Sequence, residues 1–476
     1  MKKKLHMLVG GLLAFSMAAH AGGLMTNTNY HIAFDRMMAR GATFDIDAAY
    51  SNPAGLVWGH QGWQLSLNFQ KPWQHRDIEA SMPVFLSGEP FQKKYEGVAS
   101  APIVPALFAA YTNERWSASA MIGIVGSGGF VEYDEGIPML NVPIMAKLYA
   151  TNAMLIPNKT YTLDSKMEGK QYIYGGQLNF AYKLHENIAV SLGMRITRYD
   201  GYNRGHVIAT ANEPIASALG YSQLMNMQLD CKQTGWGIAP ILGFAFHNGP
   251  LTISGRYEMR TKHNTENDTE VLNINGTDVK ALAEQNGTAA TVAALAASTS
   301  PDMAAKMAAY IPGEKTRYDM PALLAAAIGY EFSDKLRATV EYHFFDDKNA
   351  KMAGNRQEAL SGGTNEFVLG VEYDINDRFT VSMGGQRTDY GLSDDYQQNT
   401  SFACDSWSVG LGGAWNVTDK IRVNAGYFVT LYSNYEKQFA AGNPATGGGY
   451  YGIGLSATET YSRTNHVIGI GIDYKF

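Results

Sequence analysis

The run HVIGIGIDYKF, residues 466–476, alternates large apolar side chains with small or polar ones. His466, Ile468, Ile470, Ile472, Tyr474 and Phe476 fall on one face, and Val467, Gly469, Gly471, Asp473 and Lys475 on the other. A period of two marks an extended strand. Bulky apolar residues opposed to glycine and aspartate describe a strand with one face to lipid and the other to an enclosed lumen.

The pattern repeats upstream. Ile421, Val423, Ala425, Tyr427, Val429 and Leu431 alternate with Arg422, Asn424, Gly426, Phe428 and Thr430, and Trp407, Val409, Leu411, Gly413 and Trp415 with Ser408, Gly410, Gly412 and Ala414. Only Asn416-Val417-Thr418-Asp419-Lys420 separates these two strands, a tight polar turn. Five further short turns have the same character, at 112–114, 184–187, 247–250, 332–335 and 374–378. Between the hairpins lie longer polar or irregular segments, approximately 71–102, 126–170, 201–232, 263–317, 347–363, 389–402 and 434–462. Seven long connections and six short ones predict about 14 antiparallel strands closed into an all-β transmembrane barrel, with both chain ends on the short-turn side.

The amino terminus and the composition agree. Lys2, Lys3 and Lys4 precede the apolar run Leu5 to Met17 and the small-residue site Ala19-His20-Ala21, so residues 1–21 are expected to be a cleaved secretory signal. No later apolar stretch reaches the length of a membrane-spanning helix. Charged residues make up only 17% of 476, against 50 glycines, 28 tyrosines and 20 phenylalanines, yet mean hydropathy is −0.20. Strands dividing their faces between lipid and a polar interior produce this combination. The net charge of −6 argues against a nucleic-acid partner. Phosphate-loop, zinc-protease, nucleophile-elbow and paired-cysteine motifs are missing, so neither catalysis nor a cofactor or metal is expected. Cys231 and Cys404 fall on the sixth and twelfth predicted strands, about six strands apart, and are expected to remain free thiols.

Residues 22–60 lack clean alternation and precede the barrel, expected at 61–476. Such a segment is either a periplasmic domain or a plug, and because a lumen of about 14 strands is too wide for side chains alone to fill, the plug is expected. Here Ala39-Arg40-Gly41-Ala42, Asp45-Ile46-Asp47-Ala48-Ala49-Tyr50 and Ser51-Asn52-Pro53-Ala54-Gly55-Leu56 are similar to the hatch of the FadL family of outer-membrane long-chain fatty acid and hydrocarbon transporters. Asn52-Pro53-Ala54-Gly55 is the most specific piece. Trp116 to Gly123, followed by Gly126, Ser127, Gly128, Gly129 and Phe130, resembles that family's kinked third strand, and Asp319-Met320-Pro321-Ala322 adds a third match. The hatch departs from the family in having fewer glycines and a Met37-Met38 pair.

The resemblance implies diffusion of a hydrophobic small molecule from a groove among outer loops into the barrel and out sideways, through a kink at Gly126, Gly128 and Gly129, into membrane lipid. Candidate groove residues on the 263–317 loop are Leu282, Val292, Leu295, Met303, Met307, Tyr310 and Ile311, on one or two short amphipathic helices. Strand parity points Arg195, Arg256, Glu258, Arg260 and Arg337 into the lumen, with Glu341, His343, Glu366 and Glu372. These charges are expected to pair with each other or with the hatch; the alternative reading has one arginine meet a carboxylate head group. Phe476, two residues after Tyr474, resembles the terminal signal read by the outer-membrane assembly machinery. The location expected is the outer membrane of a Gram-negative bacterium, as a monomer. The competing readings are a structural or adhesive surface barrel and a general diffusion porin, which would lack a hatch.

Overall fold

The computed structural model describes residues 25–26, 29–86, 88–101, 103–153, 161–213, 215–298 and 309–476. The expected signal segment, Met303 and Met307 lie outside the described residues. One antiparallel sheet contains twenty strands, and fourteen of them form a closed ring. These are β1 Gly62–Met82, β2 Val104–Thr112, β3 Trp116–Tyr133, β4 Tyr161–His185, β5 Ile188–Ala211, β6 Gln223–Asn248 and β7 Leu251–Glu258. The ring continues with β8 Leu323–Ser333, β9 Leu336–Phe345, β10 Thr364–Asp374, β11 Phe379–Asp389, β12 Ser406–Asn416, β13 Ile421–Tyr432 and β14 Ala457–Lys475. Each pairs with its chain neighbour, and β14 closes the ring on β1 from Gln64↔Lys475 to Ser81↔Thr458. No described helix is long and apolar enough to cross a membrane.

The outward face of the C-terminal strand reads as the alternation requires. Ile468, Ile470 and Ile472 are about half exposed, while Val467, Gly469, Gly471 and Asp473 are buried inside. Aromatic residues gather at the short-turn end, including Trp63 5.2 Å from Tyr111 and Tyr474 4.8 Å from Phe476, the girdle that amphipathic rings form at a membrane interface.

The strands are very unequal. β4, β5 and β6 have 25, 24 and 26 residues. β8 to β13 have 10 to 12. A tilted strand crosses a bilayer in about 9–11 residues, so β4 to β6 rise well past the lipid at the long-loop end. The sequence reading assigned much of that rise to loops. There the period of two persists with its phase exchanged. Outward positions turn polar (Lys166, Arg204, Asp230), and inward ones turn apolar (Met167, Val207, Met225, Met227, Leu229).

The inward apolar faces enclose the largest core of the protein. At its centre is a helix that the sequence reading did not anticipate, α3 (Pro138–Ala153), after two short plug helices, α1 (Ile32–Met37) and α2 (Ala48–Ser51). Leu140, Val142, Ile144 and Leu148 of α3 pack among Ile78, Tyr133, Met167 and Met225 of the wall. Burying each such side chain is worth about 1.5–3 kcal/mol, which holds the helix in the mouth of the ring. Three further short helices follow in the outer loops, α4 (Ile215–Leu219), α5 (Val279–Asn286) and α6 (Thr288–Ser298).

Candidate functional site

Residues 29–58 occupy the lumen, and small wall residues make the room. α1 lies along the inward faces of β10 to β14. A Cβ added at Gly410 would come within 2.6 Å of the Asp35 carbonyl, one at Gly426 within 2.8 Å of the Asp35 side chain, and one at Gly384 would strike the Met37 carbonyl. The glycines on the inward face of the C-terminal strands are therefore the seat of α1.

The Asn52-Pro53-Ala54-Gly55 stretch has a local physical account. Pro53 opens a 3-10 helix, Pro53–Trp58, at the position where its missing N–H costs nothing. The Asn52 side chain caps that helix by accepting from the Gly55 N–H at 3.2 Å, and its amide donates to the Thr43 carbonyl at 3.3 Å. A side chain on Gly55 would collide with Asn52. Ala54 and Val57 pack on Ala181, Ala189 and Ala245, one small residue from each of β4, β5 and β6. Asn52 thus sits where the plug turns toward β1.

Ionic contacts fasten plug to wall. Arg36 donates to Glu372 of β10, to Ser382 at 2.8 Å and to Asn424 at 3.3 Å, wholly out of solvent. The other Glu372 oxygen accepts from Arg337 Nε at 2.8 Å, and Arg337 also reaches Asp374 at 2.6 Å. His31 lies 2.9 Å from Asp473, which also accepts from Ser66 and Asn424. On the opposite wall Arg195 meets Glu258 at 2.5 Å and Gln177 at 2.6 Å. The Tyr50 ring stands between two guanidinium groups, 5.1 Å from Arg195 and 4.8 Å from Arg256, and Arg256 donates to the Tyr50 carbonyl. Arg260 sits higher, donating to the Asn349 carbonyl, with its Nε 3.8 Å from Asp319. Glu341 accepts from the Gly41 N–H of the plug and faces His343 at 3.0 Å, which in turn faces Glu366 at 3.1 Å. Of the charges named from parity, Arg195, Arg256, Glu258, Arg337, Glu341, His343, Glu366 and Glu372 are brought together as plug clamps and wall pairs, whereas Arg260 is partly exposed and bonds to the loop after β9. Sequence reasoning missed Arg36, His31 and Tyr50, whose partners are hundreds of residues away or on the far wall.

A cavity of about 40 Å³ lies between plug and wall, bordered by Phe34, Met38, Arg256 and His343, room for little more than one water molecule. A second, polar cavity of about 220 Å³ opens toward the short-turn end beside Arg40, Asp45 and Arg422.

The wall is irregular at β3. Against β4 its register slips between Ile124 and Gly126 and again between Ser127 and Gly129, where Gly129 takes a φ of 76°. On its other side the pairs described with β2 end at Ile122, opposite Leu107, and the next described pairs join Val131 and Glu132 to the short 98–100 strand. Gly126, Gly128 and Gly129 all lie inside that interval.

The loop residues named as groove lining behave differently from an open surface. Tyr310 and Ile311 are buried, their carbonyls held by Thr269 and Asn267, and Val292 packs partly into the same core. Leu282 on α5 is half-buried, and Leu295 lies on α6. Tyr310, Ile311 and Val292 thus pin the loop onto the core. Cys231 and Cys404 are both free and buried.

No protein-family model matches the sequence, and no curated protein matches it. Solved structures do. A FadL homologue from Pseudomonas aeruginosa superposes with a TM-score of 0.66 at 15% identity, over 95% of this chain and 100% of that one. The Pseudomonas putida toluene transporter TodX gives 0.50 at 11% identity, over 90% and 94%. A deltaS2 mutant of the TodX monoaromatic hydrocarbon channel gives 0.54 at 12%, over 95% and 99%. Identities this low establish shared architecture, and the chain accordingly has the FadL-type fold, a fourteen-stranded barrel matched over nearly its whole length.

Proposed function

We propose that this chain is an outer-membrane channel that admits hydrophobic small molecules without covalent chemistry, residues 29–58 serving as its hatch. The observation that supports the reading is the conjunction of a lumen occupied by residues 29–58 with a wall strand whose register slips twice between Ile124 and Gly129. In a barrel whose axis the clamped plug occupies, the irregular stretch at Gly126–Gly129 would give an apolar molecule a sideways path that spares it from crossing water. An apolar chain gains roughly 0.8 kcal/mol per buried CH₂. The Met-rich outer core of Met82, Met139, Met167, Met225 and Met227 supplies an adaptable surface for it. The family resemblance, and the transport of toluene by TodX, support the same class of substrate. A general diffusion porin would need the open lumen that the hatch occupies. Localisation to a Gram-negative outer membrane and assembly through Phe476 belong to this reading, as does a monomeric state.

Uptake of a hydrophobic fluorophore by cells expressing the protein tests it. Replacing Gly126 and Gly128 with valine should close the interval in β3, and uptake should fall while surface expression and heat-modifiable mobility stay normal. Unchanged uptake in that folded variant would reject the lateral route. No uptake above empty-vector cells by the wild type would reject transport itself.

A further inference from the structure

A second device sits in the outer mouth of the ring, where α3 begins. The Asn141 side chain accepts from the Ser165 hydroxyl of β4 at 2.7 Å. The Met139 N–H donates to Asn399, in the loop between β11 and β12, at 2.6 Å. β4 and that loop belong to positions about half the ring apart, so the first turn of α3 ties together wall and loop from opposite sides. Behind this turn Leu140, Val142, Ile144 and Leu148 are buried in an apolar chamber with Ile78, Met167, Met225 and Met227. The helix also follows β3 after only residues 134–137, so a displacement of α3 pulls on the strand that carries Gly126–Gly129.

What holds Asn399 is a buried carboxylate. Glu459 of β14 is wholly out of solvent, and four neutral donors converge on it. The Asn399 amide reaches one oxygen at 2.8 Å, beside the Tyr461 hydroxyl. The Tyr450 and Tyr451 hydroxyls reach the other at 2.7 and 2.8 Å. A backbone donor on one side and a carboxylate on the other allow the Asn399 amide a single orientation, which links α3 to Glu459 through one side chain. Bringing two successive tyrosines to one carboxylate requires an unusual chain path. Tyr451 has a φ of 44°, in the left-handed region, among Gly449, Gly452 and Gly454 at 82°, 82° and 84°. A Cβ on Gly449 would lie 2.5 Å from the Gly454 backbone. Backbone held in this way persists only where its surroundings over-determine it, and it gathers at clamps and switches.

We propose that α3 is a lid over the lumen and that Glu459, acting through Asn399, is its catch. The proposal rests on the transport reading above and assigns that route its outer gate. An apolar molecule enters by replacing the α3 side chains in the chamber, and the catch sets how readily they leave.

Hydrogen exchange of the full-length protein in detergent reads the catch independently of transport. Asn399→Leu removes the link, and Tyr450→Phe with Tyr451→Phe removes two donors with almost no change of volume. Each should raise exchange at 137–149 by about tenfold or more, the effect of losing a hydrogen bond to a charged group, while β4 stays protected. The tyrosine pair carries the test if Asn399→Leu fails to fold, and unchanged exchange in a folded variant of either kind would overturn the catch. Asn141→Cys with Ser165→Cys, joined at the cell surface by a short reducible crosslinker, reads the lid. Uptake of a hydrophobic fluorophore should drop to the empty-vector level and recover on reduction. Wild type given the same reagent is the control, because Cys231 and Cys404 are buried. Full uptake by the crosslinked protein would overturn the lid and leave transport standing. No uptake by the wild type would overturn transport and with it the gate.

Discussion

Glu372→Gln is the sharpest perturbation of the plug. Glu372 is 1% exposed and joins Arg36, also 1% exposed, to Arg337. Removing one member of a buried pair leaves an uncompensated charge, at a cost of about 3–5 kcal/mol. The lower end applies here, because Arg36 keeps Ser382 and Asn424 as acceptors and Arg337 keeps Asp374. A cost of about 3 kcal/mol raises the ratio of displaced to seated plug roughly 150-fold. Hydrogen exchange of peptides from 29–58 should accelerate accordingly, while peptides from β12 to β14 stay protected, and planar-bilayer recordings should show new openings. Combining Arg36→Met with Glu372→Gln removes the stranded charge and should restore most of the protection. Unchanged exchange in Glu372→Gln, or a double variant as exposed as the single, would refute the clamp.

Three further outcomes follow from local features. Burial pushes the Asp347 carboxyl, in the loop after β9, up to about 8, with Asp346 and Glu366 adding to the effect. A carboxyl raised in the folded state contributes stability that is complete below about pH 4 and is lost as pH rises through 8. Exchange of residues 346–363, corrected for intrinsic rates, should therefore increase over that window, and Asp347→Asn should flatten the dependence. Tyr50→Ala removes the ring between Arg195 and Arg256 and should release the α2 end of the plug, read as faster exchange at 45–58, while the Arg195–Glu258 pair keeps β5 to β7 folded. Intact mass under denaturing conditions should be the same before and after reduction, since Cys231 and Cys404 are both free; a gain of two hydrogens would contradict this.

The ring was legible because lipid imposes a rule that sequence displays directly: apolar outside, small or polar inside, every second residue. The rule stops at the lipid boundary, and this is why β4 to β6 were read too short. On β6, Trp236 and Ile238 face out, but Met225, Met227 and Leu229 face in. The chain keeps its period while the solvent outside changes from hydrocarbon to water, so a reader holding one phase sees the alternation fail where it has only inverted. α3 was missed for a related reason. PMLNVPIMAKLYATNA is apolar around its circumference and contains Pro143, so it shows neither an amphipathic stripe nor an uninterrupted helical run. It is helical because the inverted strand faces enclose it.

The lumen followed a different logic. Parity could place Arg195, Arg256 and Arg337 inside, but parity carries no information about partners on other strands or in the plug. Tyr50 stands between two arginines because α2 is delivered there by the wall's shape, and that shape resides in residues with almost no side chain. Gly384, Gly410 and Gly426 admit α1, and Ala181, Ala189 and Ala245 receive Ala54. Positions where a strand abandons bulk therefore record where a second segment must lie. The glycines at 126–129 carry a different signal: they coincide with two slips of register against β4. A glycine facing a seated backbone and a glycine at a slip of register look alike in sequence, and only the pairing around them separates the two.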